Sequence, residues 1–149
     1  MVFMDENYMK YALKEAKRAY SKNEVPVGAV IVKNGEIIAK AHNQKVSTKN
    51  IFGHAEILAI KKAANKIGDW RLNDCVMYVT LEPCPMCASA IQQSRITKIY
   101  IGSPSKIESN KNIIHSILQN PQFNHNVDIE YIYDDNCSNI LTNFFNDKR

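Results

Sequence analysis

The run Cys75-Val76-Met77-Tyr78-Val79-Thr80-Leu81-Glu82-Pro83-Cys84-Pro85-Met86-Cys87 changes character halfway along. Cys75 to Leu81 is apolar and rich in β-formers, and predicts a strand. Proline suits a first helical turn, so a helix is expected from Cys84-Pro85 to about Gln93. Cys84 and Cys87 stand three apart at its start, and their sulfurs project from one face. A strand that delivers two thiols to the mouth of a helix is one step of an α/β chain.

Upstream, His54 to Ile67 reads as a helix ending at Gly68, which suits a left-handed cap. Its early part is apolar nearly all round (Ala55, Ile57, Leu58, Ala59, Ile60), which predicts an interior position. Val27 to Val32 is a continuous apolar run, expected of a strand covered on both faces. Asn34-Gly35 turns it tightly into Glu36 to Ala41, giving a hairpin, and a polar stretch from Asn43 to Asn50 follows. The first helix, with Asp5 a candidate cap, carries Met9, Ala12, Leu13, Ala16, Ala19 and Tyr20 at helical spacing. Asn23-Glu24-Val25-Pro26 breaks it.

Downstream, Lys98 to Gly102 predicts a short strand and Ser103 to Asn112 an irregular segment. A short helix over Ile113 to Leu118 is stopped by Asn120-Pro121. Asp128 to Tyr133 alternates as an edge or one-faced strand would. A final helix carries the stripe Cys137, Ile140, Leu141, Phe144 and Phe145. Strands alternating with helices argue for an α/β/α sandwich with at least one parallel crossover.

The chain has 149 residues, 45% hydrophobic and 23% charged, with no repeat or linker, and is expected to form one domain over 1–149. No apolar run approaches the roughly 20 residues of a membrane span. The start, Met1-Val2-Phe3-Met4-Asp5-Glu6, lacks the basic and apolar regions of a secretory signal. Four cysteines, two as Cys84-x-x-Cys87, suit an intracellular metal site better than a disulfide scaffold, so a cytoplasmic setting is expected. The net charge of +4 permits a polyanionic partner without demanding one.

His54, Cys84 and Cys87 offer three ligands for one Zn²⁺ per chain, with Glu56 beside them. Zinc that does chemistry is typically held by three protein ligands and keeps its fourth position for water. Both helix starts carry partial positive charge, which favours thiolate and a nearby carboxylate. Two thiolates leave the ion formally neutral, so it acidifies water less than an all-histidine site, and Glu56 is needed as base. The same carboxyl can return that proton to a ring nitrogen and then to a leaving amine, the pattern of hydrolytic deamination. A structural zinc half-site or a redox pair is the plainer reading of Cys-x-x-Cys alone. A structural site would want a second such pair, whereas Cys75 and Cys137 read as packed residues. His42, His115 and His125 read as surface or hydrogen-bonded residues.

His54-Ala55-Glu56 with Pro83-Cys84-x-x-Cys87 resembles the cytidine/deoxycytidylate deaminase superfamily, and the mechanism comes with that resemblance. Glu24-Val25-Pro26-Val27-Gly28-Ala29-Val30, Ala41-His42-Asn43, Trp70-Arg71-Leu72, Tyr78-Val79-Thr80-Leu81-Glu82-Pro83-Cys84, Ser94-Arg95-Ile96 and Phe123-Asn124-His125 narrow it. They resemble the family of bacterial tRNA adenosine deaminases from about residue 5 to Phe145. The resemblance implies a homodimer with a central mixed five-stranded sheet, acting on the wobble adenosine of an arginine-type tRNA anticodon. It implies His54, Cys84 and Cys87 as ligands and Glu56 as proton shuttle. Asn43 would bond the flipped base, the Ala55 N–H would face the new oxygen, and Pro26 and Val27 would wall the pocket. Asn124, His125 and Phe144-Phe145 would lie near the anticodon loop, although the last two also fit a core.

The departures fall where RNA should touch. Ser105, Ile107 and Ser109 replace an Asp-x-Lys-x-Gly type loop, Phe52-Gly53 precedes the histidine motif, and Asn126 replaces an arginine. Lys106 and Lys111 are candidates to substitute for the lost contacts. A deaminase of free guanine or cytidine is the nearest alternative. A non-catalytic zinc module for RNA is the other, and Glu56 speaks against it.

Overall fold

The computed structural model describes residues 6–147. In chain order it holds α1 (Glu6–Ser21), β1 (Gly28–Lys33), β2 (Glu36–His42), α2 (Lys45–Thr48), α3 (Ala55–Ile67), β3 (Cys75–Val79), α4 (Pro85–Gln93), β4 (Lys98–Ile101), α5 (Ser109–Leu118), β5 (Asp128–Tyr131) and α6 (Asp135–Asp147). The cap expected at Asp5 lies outside the described residues.

β1 shows why the sheet is covered on both sides. Successive side chains of a strand point to opposite faces. Ala29 and Ile31 enter one core, with Ala55, Ala59 and Ala63 of α3, Ile91 of α4 and Ile114 of α5. Val30 and Val32 enter another, with Met9 and Ala12 of α1 and Cys137 of α6. A Cβ on Gly28 would sit 1.9 Å from the Ala12 carbonyl oxygen, so α1 lies almost on the strand's backbone. The result is the expected α/β/α sandwich around a mixed five-stranded sheet, in the order β2-β1-β3-β4-β5.

Strand direction then places the site. β1 joins β2 through Asn34 and Gly35, both at positive φ (52° and 77°), the backbone a two-residue hairpin turn prefers. β2 and β3 are each antiparallel to β1 and therefore run the same way, and β3, β4 and β5 are mutually parallel. The C-terminal ends of β2 to β5 all emerge at one edge of the sheet. α3 follows β2 and α4 follows β3 in a shared layer, so their starts meet at that edge, where open α/β sheets hold their ligands.

Several boundaries differ from expectation. α2 sits inside the polar stretch and buries nothing. α5 starts at Ser109, four residues before the expected Ile113, and its early Asn110 is buried. β3 stops at Val79 and β5 at Tyr131, two residues short each. α3 is not interior all round: Ala55, Glu56, Ala59 and Ala63 are buried, whereas Ile57, Leu58 and Ile60 are only half-buried.

Candidate metal centre and active site

His54 and Cys84 occupy equivalent places, each the extended residue capping a helix. Neither side chain caps its own helix, so imidazole and thiol are left to point elsewhere. They point at each other. His54 Nδ1 lies 3.7 Å from Cys84 Sγ and 3.4 Å from Cys87 Sγ. A tetrahedral zinc with ordinary Zn–N and Zn–S lengths sets that separation at about 3.6 Å. The three ligand atoms lie within 4.8 Å of one another, and among the described residues no fourth His, Cys, Asp or Glu joins the group. Three ligands and an open corner are the donor set of a zinc that works on a bound molecule, and the residues fit that ion.

The protons fit it too. The hydrogen bond between the thiols draws Cys84 down to about 5, and the same bond, with burial, pushes Cys87 up. Two sulfurs this close share a proton; a divalent cation between them lets both ionise. Glu56, at the first turn of α3, is 4% exposed. Burial raises its carboxyl to about 7, and the Cys84 charge adds to this, against hydrogen bonds from its own N–H and from Cys87.

The loop between β2 and α3 is held at both ends. The Ala55 N–H, an orphan donor of α3, donates to Asn43 Oδ1 at 2.8 Å, so Asn43 supplies the cap that His54 does not. Buried Glu24 accepts from the N–H groups of Val46 (3.0 Å) and Ser47 (2.6 Å) at the start of α2. Burial opposes its ionisation, but these bonds outweigh it and keep the carboxyl below its usual range. A Cβ on Gly53 would come within 2.8 Å of the Lys45 nitrogen, so only glycine lets the loop fold back beside His54.

His42, next to Asn43, is also buried. Its Nδ1–H donates to Glu15 Oε1 at 3.0 Å, and Lys22 donates to its Nε2 at 3.4 Å. A carboxylate only accepts and an ammonium only donates, which fixes the tautomer.

Pro26 and Val27 are buried, and the Val27 carbonyl accepts the Asn43 N–H at 3.1 Å, which puts both beside the Asn43 backbone. Asn124 is exposed and lines a groove of ≈ 470 Å³ with Ser89, Gln92 and Phe123; no metal-cluster residue lines it. His125 donates from Nε2 to the Ile96 carbonyl at 2.7 Å, and its own carbonyl accepts from Gln92. Phe144 is buried and meets Tyr20 edge-on, whereas Phe145 is 46% exposed. Phe145 lines a cleft of ≈ 570 Å³ with Val25, Leu81, Ser105, Ile107 and Tyr133. Cys75 and Cys137 are buried free thiols, as expected. The buried carboxylates Glu15, Glu24 and Glu82 were not anticipated. For Glu24 and Glu82 the one cue is an acid set directly against an apolar or proline-containing run; Glu15, between Lys14 and Ala16, carries none.

The family model for the cytidine and deoxycytidylate deaminase zinc-binding region matches residues 3–103. The chain is 44% identical over 146 residues to the tRNA-specific adenosine deaminase of Bacillus subtilis (strain 168), covering 97% of this chain and 91% of that protein. It superposes on a solved tRNA:A34 deaminase, studied for A-to-I editing at the wobble position of transfer RNA, with a TM-score of 0.84. That match has 34% identity and covers 92% of this chain and all of the other. A guanine deaminase structure from Bacillus subtilis matches at a TM-score of 0.67 and 33% identity, over 74% of this chain and 71% of its own.

Proposed function

Since the chain belongs to the cytidine and deoxycytidylate deaminase family, in its tRNA-specific adenosine deaminase branch, we propose that it converts adenosine to inosine at the wobble position of a tRNA anticodon. The observation that carries the chemistry is the three-ligand cluster at tetrahedral spacing, with one buried carboxyl at the same helix start. Zinc bound there lowers the pKa of water and stabilises negative charge as it develops on oxygen. Glu56 takes one proton from the attacking water and delivers it to N1 of the purine, then passes the proton of the new C6 hydroxyl to N6, which leaves as ammonia. Adenosine and water become inosine and ammonia.

Asn43 already accepts the Ala55 N–H through Oδ1, which leaves its Nδ2 to donate to the base. The Ala55 N–H would turn to the new oxygen only by giving up that bond. Bases of an anticodon loop are easier to splay out than those of a duplex, so a site whose carboxyl is buried suits such a substrate. Half-buried Ile57, Leu58 and Ile60 on α3, with exposed Val46, Ile51 and Phe52, support a second copy as partner. No helix among the described residues is long and apolar enough to cross a membrane, and a tRNA substrate supports a cytoplasmic setting for this one deaminase domain.

The test is direct. The protein is incubated with an arginine-type anticodon stem-loop and, separately, with free adenosine, guanine and cytidine. Inosine at the wobble position, with little ammonia from the small molecules, is expected. Ammonia from guanine or cytidine with unedited RNA would replace this reading with the free-base one.

A further inference from the structure

Glu82 is 4% exposed and takes no part in the chemistry above. It stands two residues before Cys84, and everything around it ties that short approach down. Its Oε2 accepts from Asn110 Nδ2 at 2.7 Å and its Oε1 from the Tyr131 hydroxyl at 2.5 Å. The same Asn110 amide donates to the Pro83 carbonyl at 3.1 Å, and the Glu82 N–H donates to the Ser103 carbonyl at 2.9 Å. The buried carboxylate thus gathers the start of α5 and the end of β5 onto the turn that presents Cys84, and the backbone of the same residue ties in the loop after β4. Tyr131 is held in turn by Lys111, 4.8 Å over its ring, and by His115 stacked on it.

We infer that Glu82 is a positioning residue for the metal site: through Asn110 and Tyr131 it fixes the Cys84–Cys87 turn so that both sulfurs meet His54 Nδ1 at the spacing a zinc ion needs. Groups that orient metal ligands from behind typically change metal affinity 10–100-fold when removed.

The inference rests on the zinc reading, and metal content separates the two. Zinc per chain and zinc affinity are measured by chelator competition on wild type, Glu82→Ala and Glu82→Gln, and cobalt(II) absorption reports ligand geometry. Glu82→Ala is expected to bind zinc at least about tenfold more weakly, with shifted cobalt bands. Gln can accept from Asn110 and donate to Tyr131, so Glu82→Gln should recover most of the affinity. If Glu82→Ala does not fold, Tyr131→Phe removes one bond alone and should weaken zinc by about tenfold, the low end for such partners. Wild-type affinity and cobalt bands in Glu82→Ala, or in Tyr131→Phe where the first does not fold, overturn the role of Glu82. A wild-type protein that takes up no zinc overturns the site reading itself.

Discussion

Glu56 and His54 stand two residues apart on one helix start and are assigned different work, so their neighbourhood can be tested by separating metal from turnover. Glu56→Gln keeps the shape of the side chain but cannot carry the proton. It should hold one zinc per chain and the wild-type circular dichroism while turnover falls by about 10²–10⁴-fold. Cys87→Ser should do the reverse, losing the metal first. Elemental analysis beside an inosine assay reads both, and a metal-replete Cys87→Ser would remove that sulfur from the ligand set. The sequence made these residues legible because imidazole, thiol and carboxylate carry their chemistry in their type. Glu24 and Glu82 carry theirs only in partners 22 to 49 positions away, and no local spacing announces such partners.

Elements were legible wherever an apolar stripe repeated. α2 escaped because all four of its residues face water and it is held by Glu24 from outside. The first turn of α5 escaped because Asn110, which a polar reading assigns to a loop, is buried against Glu82. Carboxylates that join elements also set an acid limit. Glu24 grips α2. Glu15 of α1 is disfavoured as an anion by burial, yet His42 and Arg18 hold its carboxyl below its ordinary 4.5. Groups with lowered values in the folded state stabilise it fully above the unfolded value, and that contribution is lost as pH falls through the folded one. The wild-type urea midpoint should therefore drop on acidification below about pH 5. A Glu15→Gln/Glu24→Gln variant should start lower at neutral pH, since each hydrogen bond to a charged group contributes about 1.5–3 kcal/mol. It should then fall less steeply; parallel curves for the two proteins would show that these carboxylates do not set the slope.

At the scale of the molecule, one topological fact does most of the work: β2 and β3 share a direction because both oppose β1. The alternation of strands and helices was legible, but strand order was not, since nothing local says which side of β1 the third strand joins. Metal at the meeting point of α3 and α4 would tie together residues 30 and 33 positions apart. Zinc that binds only the folded chain raises its stability by mass action, about 2.7 kcal/mol at a hundredfold excess over Kd. Chelation should lower Tm measurably, and returning zinc should restore it; an unchanged Tm would mean that the ion does not bridge the two helices.

Far from that meeting point, just past the end of α3, stands Trp70, the chain's single tryptophan. It is 53% exposed, and the guanidinium groups of Arg71 (4.8 Å) and Arg95 (5.6 Å) lie over its ring. About half of its surface faces solvent in the native protein, so its emission colour should move little on denaturation. The tyrosines stacked on the sheet, Tyr78 on Tyr100 with Tyr8 tilted against Tyr78, are the chromophores whose optical asymmetry should vanish when the layers part.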